Sequence, residues 1–325
     1  MGGPSSEHAI SLKSGHGIAD ALAQRGWNVR SVEIPHELTV EQAEAFVRAA
    51  LSSEPVDVVF IALHGPFGED GTVQEICEEL GLPYTGSDSR ASRRGMDKVA
   101  SRRAFVRAGL RVPKSELIVV PTLRAVARAL RILPPPVVVK PTNQGSSIGV
   151  SLAHTPQDAH RAVDEAAKFG GGVLIEEFVR GREVTAGVLG DQSLPIVEIQ
   201  SSHAFFDFTA KYTPGETRYL VPAPLDEATV TRVQLAGLIA HRAVGCRHFS
   251  RTDVILNDAG EAVVLEVNTI PGFTATSLLP KAAGCVGISY PELCERITQM
   301  ALLDGKPRRR ARKPVAAHDS AAGTA

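Results

Sequence analysis

The chain has 325 residues, of which 43% are hydrophobic, and a formal net charge of −1 at pH 7. This length allows a sizeable core divided among two or three domains. No run of about 18 apolar residues occurs, and the start MGGPSSEHAI lacks the charged and apolar regions of a signal peptide. Four cysteines without a C-x-x-C pair indicate a reducing compartment. We therefore expect a cytoplasmic protein that does not bind membranes.

The first third of the chain alternates predicted strands and helices. Strands are predicted at WNVRSVEI (27–34), VDVVFIAL (56–63) and GLPYTGS (81–87), and helices at 40–53 and from about Thr72. This order predicts an α/β fold whose N-terminal domain is a doubly wound parallel sheet. Ligands bind at strand C-termini in such folds, and His64 and Glu69 follow the second strand.

The remainder is typical of an α+β arrangement. One helix is predicted from Arg90 through MDKVASRRAFVRAG, and others at 122–132, 227–245 and 290–303. Predicted strands cover 137–140, 172–179, 183–190, 194–200, 252–257 and 261–268. The segment 205–223 is polar and aromatic, contains Pro and Gly, and reads as a long ordered loop. Loops of this length inside a compact domain are usually functional.

A possible metal site lies on the hairpin TDVILN-DAGE-AVVLEVN. If Asn257 pairs with Ala262, Asp253 lies opposite Glu266, and both point to the same face as Asn268. Two opposed carboxylates repel each other unless a cation lies between them. Oxygen ligands of this kind suit Mg²⁺, especially beside phosphates. The alternative is a solvated hairpin face with lysine neighbours.

The segment VVVKPTNQGSSIGV (137–150) joins a buried strand to a glycine-serine loop. The chain has neither G-x-x-x-x-G-K-[ST] nor G-x-G-x-x-G, which argues against P-loop and Rossmann phosphate sites. Lys140 at the strand end and the bare amides after it could still bind phosphate. Lys98 and Lys211, from separate segments, are further candidates.

The sequence GSSIG (145–149) also matches G-x-S-x-G, the nucleophile elbow of α/β-hydrolases, with Ser147 as nucleophile. That elbow requires a helix after the serine, whereas VSLAHTP is predicted to be extended. A serine hydrolase is therefore the lesser interpretation.

Eight ordered segments together carry a family resemblance. They are HGPFGEDG, GLPYTGS, MDK, VVVKPTNQGSSIGV, LIEEFVRGRE, AKYTPGET, RTDVIL and LEVNTIPGFTATSL. This set resembles the D-alanine–D-alanine ligases, which are ATP-grasp enzymes, from about residue 2 to about residue 300. The resemblance implies that one D-alanine carboxylate is activated by ATP as an acyl phosphate. The amine of a second D-alanine then attacks it, giving the dipeptide used for peptidoglycan, cell wall and cell shape.

The resemblance also implies roles for individual residues. Around ATP it implies phosphate binding by Lys98, Lys140 and Lys211, an adenine border of Glu176, Glu177 and Val179, and ribose binding by Glu183. Asp253, Glu266 and Asn268 match ligands of two Mg²⁺ or Mn²⁺ ions, in agreement with the hairpin argument. Arg251 would stabilise the tetrahedral intermediate. The alternative for Arg251 is a surface arginine beside a strand.

The two D-alanine sites follow in the same way. Glu7, Ser146 and Tyr212 resemble the trio around the first D-alanine, and Ser277 with Gly272 and Leu278 resembles the pocket for the carboxylate of the second. Without the family, these residues read as helix-start, turn and loop residues. The phenol of Tyr212 favours dipeptide formation over D-alanyl-D-lactate. His64 is expected either to contact substrate or to be structural.

The resemblance divides the chain into four parts. They are an N-terminal domain (1–88), a central lobe (89–180), a C-terminal lobe (181–303) and a basic tail (304–325). The tail carries six Lys/Arg and two Asp, and we expect it to be disordered rather than to bind nucleic acid. The family implies a homodimer. Its members begin with a short apolar strand before the turn at Gly2, so we expect either a start assigned too late or a missing strand.

Three functions follow from the sequence. The first is a D-alanine–D-alanine ligase, and the second is another ATP-grasp carboxylate–amine ligase. The third is a nucleotide-binding protein without catalysis, or a serine hydrolase.

Overall fold

The computed structural model describes residues 1–201 and 217–304. Most of the loop predicted at 205–223 therefore lies outside the described residues, together with Lys211 and Tyr212. The basic tail after Asp304 also lies outside them.

Three helices and several extended segments make up the N-terminal part. The helices are α1 (His8–Gln24), α2 (Val40–Ser52) and α3 (Thr72–Glu79), which confirms the predictions at 40–53 and at Thr72. Helix α2 begins with a capping box, because the side chain of Thr39 accepts from Gln42 while the side chain of Gln42 accepts from the Thr39 backbone. The buried faces of α2 and α3 share a core with the extended segments.

The strands predicted at 27–34 and 56–63 do not form a ladder. Within the described residues, the front of the chain contains only single parallel bridges, from Gly2 to Ile34 and from Val59 to Tyr84. A cleft of about 320 Å³ is lined by both segments and by Met1. The two segments flank this cleft, so their backbones are not paired to each other. The prediction of regular strands was wrong here and at 81–87, where only Tyr84 forms a bridge, although Ile61 and Leu63 are buried as expected.

The single helix predicted from Arg90 is two helices, α4 (Ser89–Met96) and α5 (Lys98–Arg107). Asp97 separates them with an extended backbone, and its side chain accepts from the N–H groups of Val99 and Ala100. Aspartate favours this N-cap role over the middle of a helix because its carboxylate binds the unpaired amides at the start of a helix.

A four-stranded antiparallel sheet follows. Its strands are β1 (Ser115–Ile118), β2 (Val137–Pro141), β3 (Ser151–Ala153) and β4 (Val173–Glu177), in the order β1-β4-β2-β3. Helices α6 (Leu123–Ile132) and α7 (Pro156–Ala167) share a core with one face. Side chains alternate along a strand, so Val137 and Val139 enter this core while Val138 and Lys140 lie on the opposite face.

A six-stranded antiparallel sheet forms the last part. It contains β5 (Gly181–Leu189), β6 (Gln192–Ser193), β7 (Val197–Ser201), β8 (Thr217–Leu220), β9 (Phe249–Asn257) and β10 (Ala262–Asn268). The order is β10-β9-β5-β7-β8, and β6 pairs with β5. Helix α8 (Glu227–Val244) shares a core with Val184, Ala186 and Val254 on one face. Asp253 and its neighbours in register occupy the other face.

Two C-terminal helices complete the described part, α9 (Leu278–Cys285) and α10 (Tyr290–Asp304). They pack with α1 and with Phe249 and Phe273 in a common core. No helix in residues 1–201 or 217–304 is long and apolar enough to cross a membrane.

Candidate active site

The hairpin of β9 and β10 places Asp253 opposite Glu266. The predicted register was wrong near the turn, because Ala262 pairs with Leu256 rather than with Asn257. The register shifts between Val264 and Glu266, so Leu265 is an extra residue in β10. A β-bulge of this kind moves every later residue by one position relative to its partner. The shift restores the predicted pairing at Asp253, and it places Asn268 opposite Arg251.

Asp253 is the centre of a polar network on this face. The guanidinium of Arg251 donates to both carboxylate oxygens, at 2.7 and 2.8 Å, and Asn268 Nδ2 donates to Oδ2 at 3.1 Å. Burial disfavours the charged form of Arg251, but Asp253, Glu266 and Glu69 together outweigh burial and raise the pKa of Arg251 above its ordinary value. The guanidinium is therefore a permanent positive charge. It is not a solvated surface arginine.

The donor set on this patch suits a hard divalent cation. Asp253 and Glu266 supply carboxylates on one face, and Asn268 supplies an amide. Lys98 Nζ lies 3.5 Å from Glu266 Oε2, so positive charge already faces both carboxylates. In the part of the chain that the structure describes, no cluster of three or more His, Cys, Asp or Glu side chains is arranged to hold a metal ion. This patch differs from such a cluster because its third candidate ligand is the Asn268 amide. Two carboxylates with one amide leave room for oxygen ligands from phosphates, which is typical of Mg²⁺.

A cleft of about 180 Å³ lies beside this patch, between the two sheets. It brings together most residues that the sequence assigned to ATP and metal, namely Lys98, Lys140, Glu176, Glu177, Val179, Glu183, Asp253 and Glu266. Ser147 also lines it. These residues come from α5, β2, β4, β5, β9 and β10 and from the segments between them, so the cleft exists only when the chain is folded.

Two lysines line this cleft from separate elements. Lys98 Nζ donates to the backbone oxygen of Gln144 at 2.5 Å, which joins α5 to the glycine-serine loop. Burial lowers the pKa of Lys98 from its ordinary value, and the nearby Lys140 charge lowers it further. Lys140 Nζ lies 2.6 Å from Glu176 Oε2. An anion in the cleft would relieve the repulsion between the two ammonium groups.

The apolar wall of the cleft was missed in the sequence. It consists of Pro113, Val138, Val150, Phe178, Ile255 and Leu265. Strand alternation could have identified two of them, because Val138 lies two residues before Lys140 and Ile255 two residues after Asp253. Leu265 lines the cleft next to Glu266 because of the bulge, which period-two alternation does not predict. A polar floor beside an apolar wall suits a flat aromatic base that carries charged groups.

The glycine-serine loop contains a tight turn at Ser146 and Ser147. Both residues adopt positive φ values, 48° and 60°, and Ile148 N donates to Gly145 O at 3.0 Å, as in a type I′ turn. The chain then enters strand β3, not a helix. The nucleophile-elbow interpretation of Ser147 is therefore wrong, since that motif needs a helix directly after the serine.

Glu7 joins the N-terminal turn to this loop. Ser146 Oγ donates to Glu7 Oε1, and the Glu7 side chain approaches Gly65. Burial and the charge of Glu7 raise the pKa of Glu69 to about 8. The structure thus brings Glu7 and Ser146 together as the resemblance implied, and it adds Glu69 as a second carboxyl group, one with a raised pKa.

His64 is buried, and its ring is satisfied by protein partners. Nε2 lies 3.0 Å from Ser14 Oγ, and the backbone of Ile270 also hydrogen-bonds the ring. Burial lowers the pKa of His64 to about 4, so the ring is neutral at pH 7. These contacts favour the structural interpretation of His64 over substrate contact.

Ser277 lies at the N-terminus of α9. Its Oγ accepts from Thr274 N at 3.0 Å and lies 2.9 Å from Thr274 Oγ1. A Cβ added at Gly272 would lie 3.4 Å from Ser277 Oγ, so the structure places these two residues side by side. Leu278 is buried directly after them. A helix N-terminus next to a hydroxyl suits a carboxylate ligand.

Comparisons with known families agree over most of the chain. Residues 36–87 match the family described as D-ala D-ala ligase N-terminus, and residues 119–299 match the family described as D-ala D-ala ligase C-terminus.

Individual relatives give the same result. A D-alanine–D-alanine ligase from Anaeromyxobacter sp. (strain Fw109-5) is 45% identical over 307 residues, which is 93% of this chain and 95% of the relative. One from Gluconobacter oxydans (strain 621H) is 43% identical and covers 93% and 97% of the two chains.

Solved structures are also similar. The D-alanine–D-alanine ligase from Bacillus anthracis complexed with ATP has a TM-score of 0.80 at 29% identity, covering 94% of this chain and 96% of that one. The VanG D-Ala:D-Ser ligase from Enterococcus faecalis has a TM-score of 0.80 at 30% identity, covering 93% and 97%.

Proposed function

Because the chain belongs to the D-alanine–D-alanine ligase family, we propose that its cleft is the site where ATP drives the joining of two D-alanines. The expected ATP-grasp fold is confirmed by the likeness to solved ligases. The enzyme is an ADP-forming ligase that makes D-alanyl-D-alanine for peptidoglycan synthesis. The observation that carries this proposal is the single cleft in which Lys98, Lys140 and the Asp253–Glu266 pair meet.

The two sheets hold the nucleotide between them. The base packs against the apolar wall near Val138 and Ile255, bordered by the backbone of Glu177 and Val179. The ribose lies toward Glu183, and the phosphates lie between Lys98 and Lys140. Lys211, outside the described residues, is the family-based candidate for the γ-phosphate. The backbone N–H groups at Ser146 and Ser147 add donors that need no charge. Glu177 Oε1 accepts from Lys114 N and the Glu177 N–H donates to Lys114 O at 2.9 Å, so Glu177 is fixed to the segment before β1 at the edge of the cleft.

Asp253, Glu266 and Asn268 would hold two Mg²⁺ or Mn²⁺ ions. When bound, such ions offset the charge that builds up on phosphate oxygens during phosphoryl transfer. Arg251 adds a fixed positive charge from the protein beside them, and burial in a site that excludes water strengthens its effect on a developing oxyanion.

The substrates lie on either side of the transferred phosphate. Glu7 holds the ammonium of the first D-alanine, with Ser146 and Tyr212 completing its site. Ser277, Gly272 and the N-terminus of α9 at Leu278 hold the carboxylate of the second. The first carboxylate takes the γ-phosphate from ATP and becomes an acyl phosphate, releasing ADP. The amine of the second D-alanine attacks that carbonyl, and phosphate leaves as the peptide bond forms.

Three further properties belong to this proposal. The chain is divided into domains at about residues 88 and 180, with the C-terminal lobe ending near residue 303. It acts in the cytoplasm, and it forms a homodimer.

The proposal is tested by incubating the protein with ATP, Mg²⁺ and D-alanine and measuring phosphate and dipeptide. Equal amounts of both products are expected. D-Serine serves as an alternative second substrate because a similar structure is named a D-Ala:D-Ser ligase, and D-lactate tests the alternative product considered from the sequence. Phosphate release that does not depend on D-alanine contradicts the assignment.

A further inference from the structure

Arg102 lies behind the nucleotide cleft, on the same face of α5 as Lys98 four residues before it. Its NH1 donates to Glu176 Oε1 at 2.7 Å, and its NH2 donates to the backbone oxygen of Pro113. Only 9% of its side chain is exposed. Arg102 is not among the described residues that line the cleft, whereas Glu176, Pro113 and Lys140 are.

Glu176 is therefore held between two cations. One carboxylate oxygen contacts Arg102 and the other contacts Lys140, and only 3% of the Glu176 side chain is exposed. The three groups together carry one net positive charge. Burial weakens screening by water and salt, so this charge acts strongly on a ligand in the cleft.

The presence of Arg102 affects how strongly the Lys140 ammonium can attract a phosphate. With Lys140 as its only partner, Glu176 would neutralise the lysine in a one-to-one ion pair, and an incoming phosphate would have to compete with a buried carboxylate. Because Arg102 also balances the negative charge of Glu176, the ammonium of Lys140 can still attract another anion. The planar guanidinium can contact Glu176 and Pro113 together, which a lysine at this position cannot do in the same geometry.

We propose that Arg102 is a positioning residue for ATP: it compensates the Glu176 carboxylate from behind the cleft and leaves the charge of Lys140 available to the phosphates. This inference rests on the proposed nucleotide site. It assigns Arg102 no contact with either D-alanine.

The test compares Arg102→Met and Arg102→Lys with the control Arg103→Met, which removes the exposed neighbouring arginine. Calorimetry without D-alanine measures the Kd of ATP and of adenosine, which has no phosphates. We expect Arg102→Met to weaken ATP about tenfold or more, corresponding to ~1.4 kcal/mol, and adenosine less than twofold. Arg102→Lys should fall between wild type and Arg102→Met, and Arg103→Met should match wild type. In turnover, the KM for ATP should rise while the KM for D-alanine stays within twofold.

Arg102→Met could fail to fold because Glu176 is left with one partner, so a double variant tests the same proposal. In Arg102→Met/Glu176→Gln the carboxylate is also removed, and the Kd of ATP should lie within twofold of that for Glu176→Gln alone. Independent, additive losses in the double variant overturn the proposal. So do equal losses of ATP and adenosine affinity in Arg102→Met. These binding measurements stand even if the wild type makes no dipeptide, an outcome that would instead remove the ligase assignment.

Discussion

Asp253 and Glu266 lie directly opposite each other across β9 and β10, although the hairpin changes register between its turn and this pair. The bulge at Leu265 gives the two carboxylates a common face, and Lys98 lies 3.5 Å from one of them. We infer that the pair is a functional unit and that removing either charge affects metal binding before it affects folding.

Glu266→Gln tests this inference. We expect kcat to fall by roughly 10²-fold, the scale of losing one preorganised electrostatic contact, and the Mg²⁺ concentration for half-maximal rate to rise. Asp258→Asn is the control, since it removes an exposed carboxylate from the turn of the same hairpin. If both variants have the same rate and Mg²⁺ dependence, the pair does not bind metal.

Ser146→Ala removes the hydroxyl that donates to Glu7. A hydrogen bond to a charged group contributes about 1.5–3 kcal/mol, so we expect the KM for D-alanine to rise at least about tenfold. The KM for ATP should change much less. Ser193→Ala on β6 serves as control. A rise confined to the KM for ATP would show that Ser146 acts as part of the phosphate loop only.

His64 should make stability depend on pH below neutrality. Burial lowers its pKa to about 4, compared with about 6.5 in the unfolded chain. The unfolded state therefore binds the extra proton first, and stability is lost as pH falls from about 6.5 toward 4. The loss is on the order of 1 kcal/mol per pH unit at most. In His64→Gln, the Tm should vary less steeply over this range, whereas exposed His154→Gln should leave the wild-type slope. Equal slopes in all three proteins would contradict a buried neutral His64.

Gly181 begins β5 where the chain passes from one sheet to the other, and it lines the cleft. Its φ is 154°, and an added Cβ would lie 2.2 Å from the backbone oxygen of Leu256. Backbone cannot move aside as a flexible side chain can, so Gly181→Ala should destabilise the protein by roughly 1–3 kcal/mol and raise the KM for ATP.

Gly284→Ala is the matched control for that substitution. Gly284 lies in helix α9, and nothing would lie within 4 Å of an added Cβ. Alanine there should be neutral or stabilising, by about 0.4–1 kcal/mol. Both stabilities are measured by urea unfolding. If both substitutions change the free energy of unfolding by the same amount, the close approach of Gly181 to the Leu256 backbone does not require glycine.

The sequence predicted the elements with strong local signals. Helices α2, α8 and α10 and the strands of the later sheets were expected within a few residues, because apolar periodicity and capping residues are local. The break at Asp97 was missed, since the helical pattern continues on both sides and only the aspartate marks a new N-cap.

Register and pairing were less predictable. The pairing of Asp253 with Glu266 was right, although the assumed turn was wrong, because the displaced turn register and the bulge at Leu265 cancel. The strands at 27–34 and 56–63 have the correct apolar pattern but pair only through single bridges. Strand pairing depends on which other segment of the chain lies beside a strand, and the residues of the strand itself do not determine this. Arg102 was missed for a similar reason, since its role depends on contacts with residues 11 and 74 positions away.

The extra residue at Leu265 has a consequence for inhibitor design. It places an apolar side chain and the carboxylate that we propose binds metal, Glu266, on consecutive positions of one strand. A flat heterocycle anchored on Leu265, Ile255 and Val138 would therefore block the nucleotide without any chelating group. Because Glu266 follows Leu265 directly, we expect bulkier residues at position 265 that confer resistance to displace this carboxylate and lower kcat.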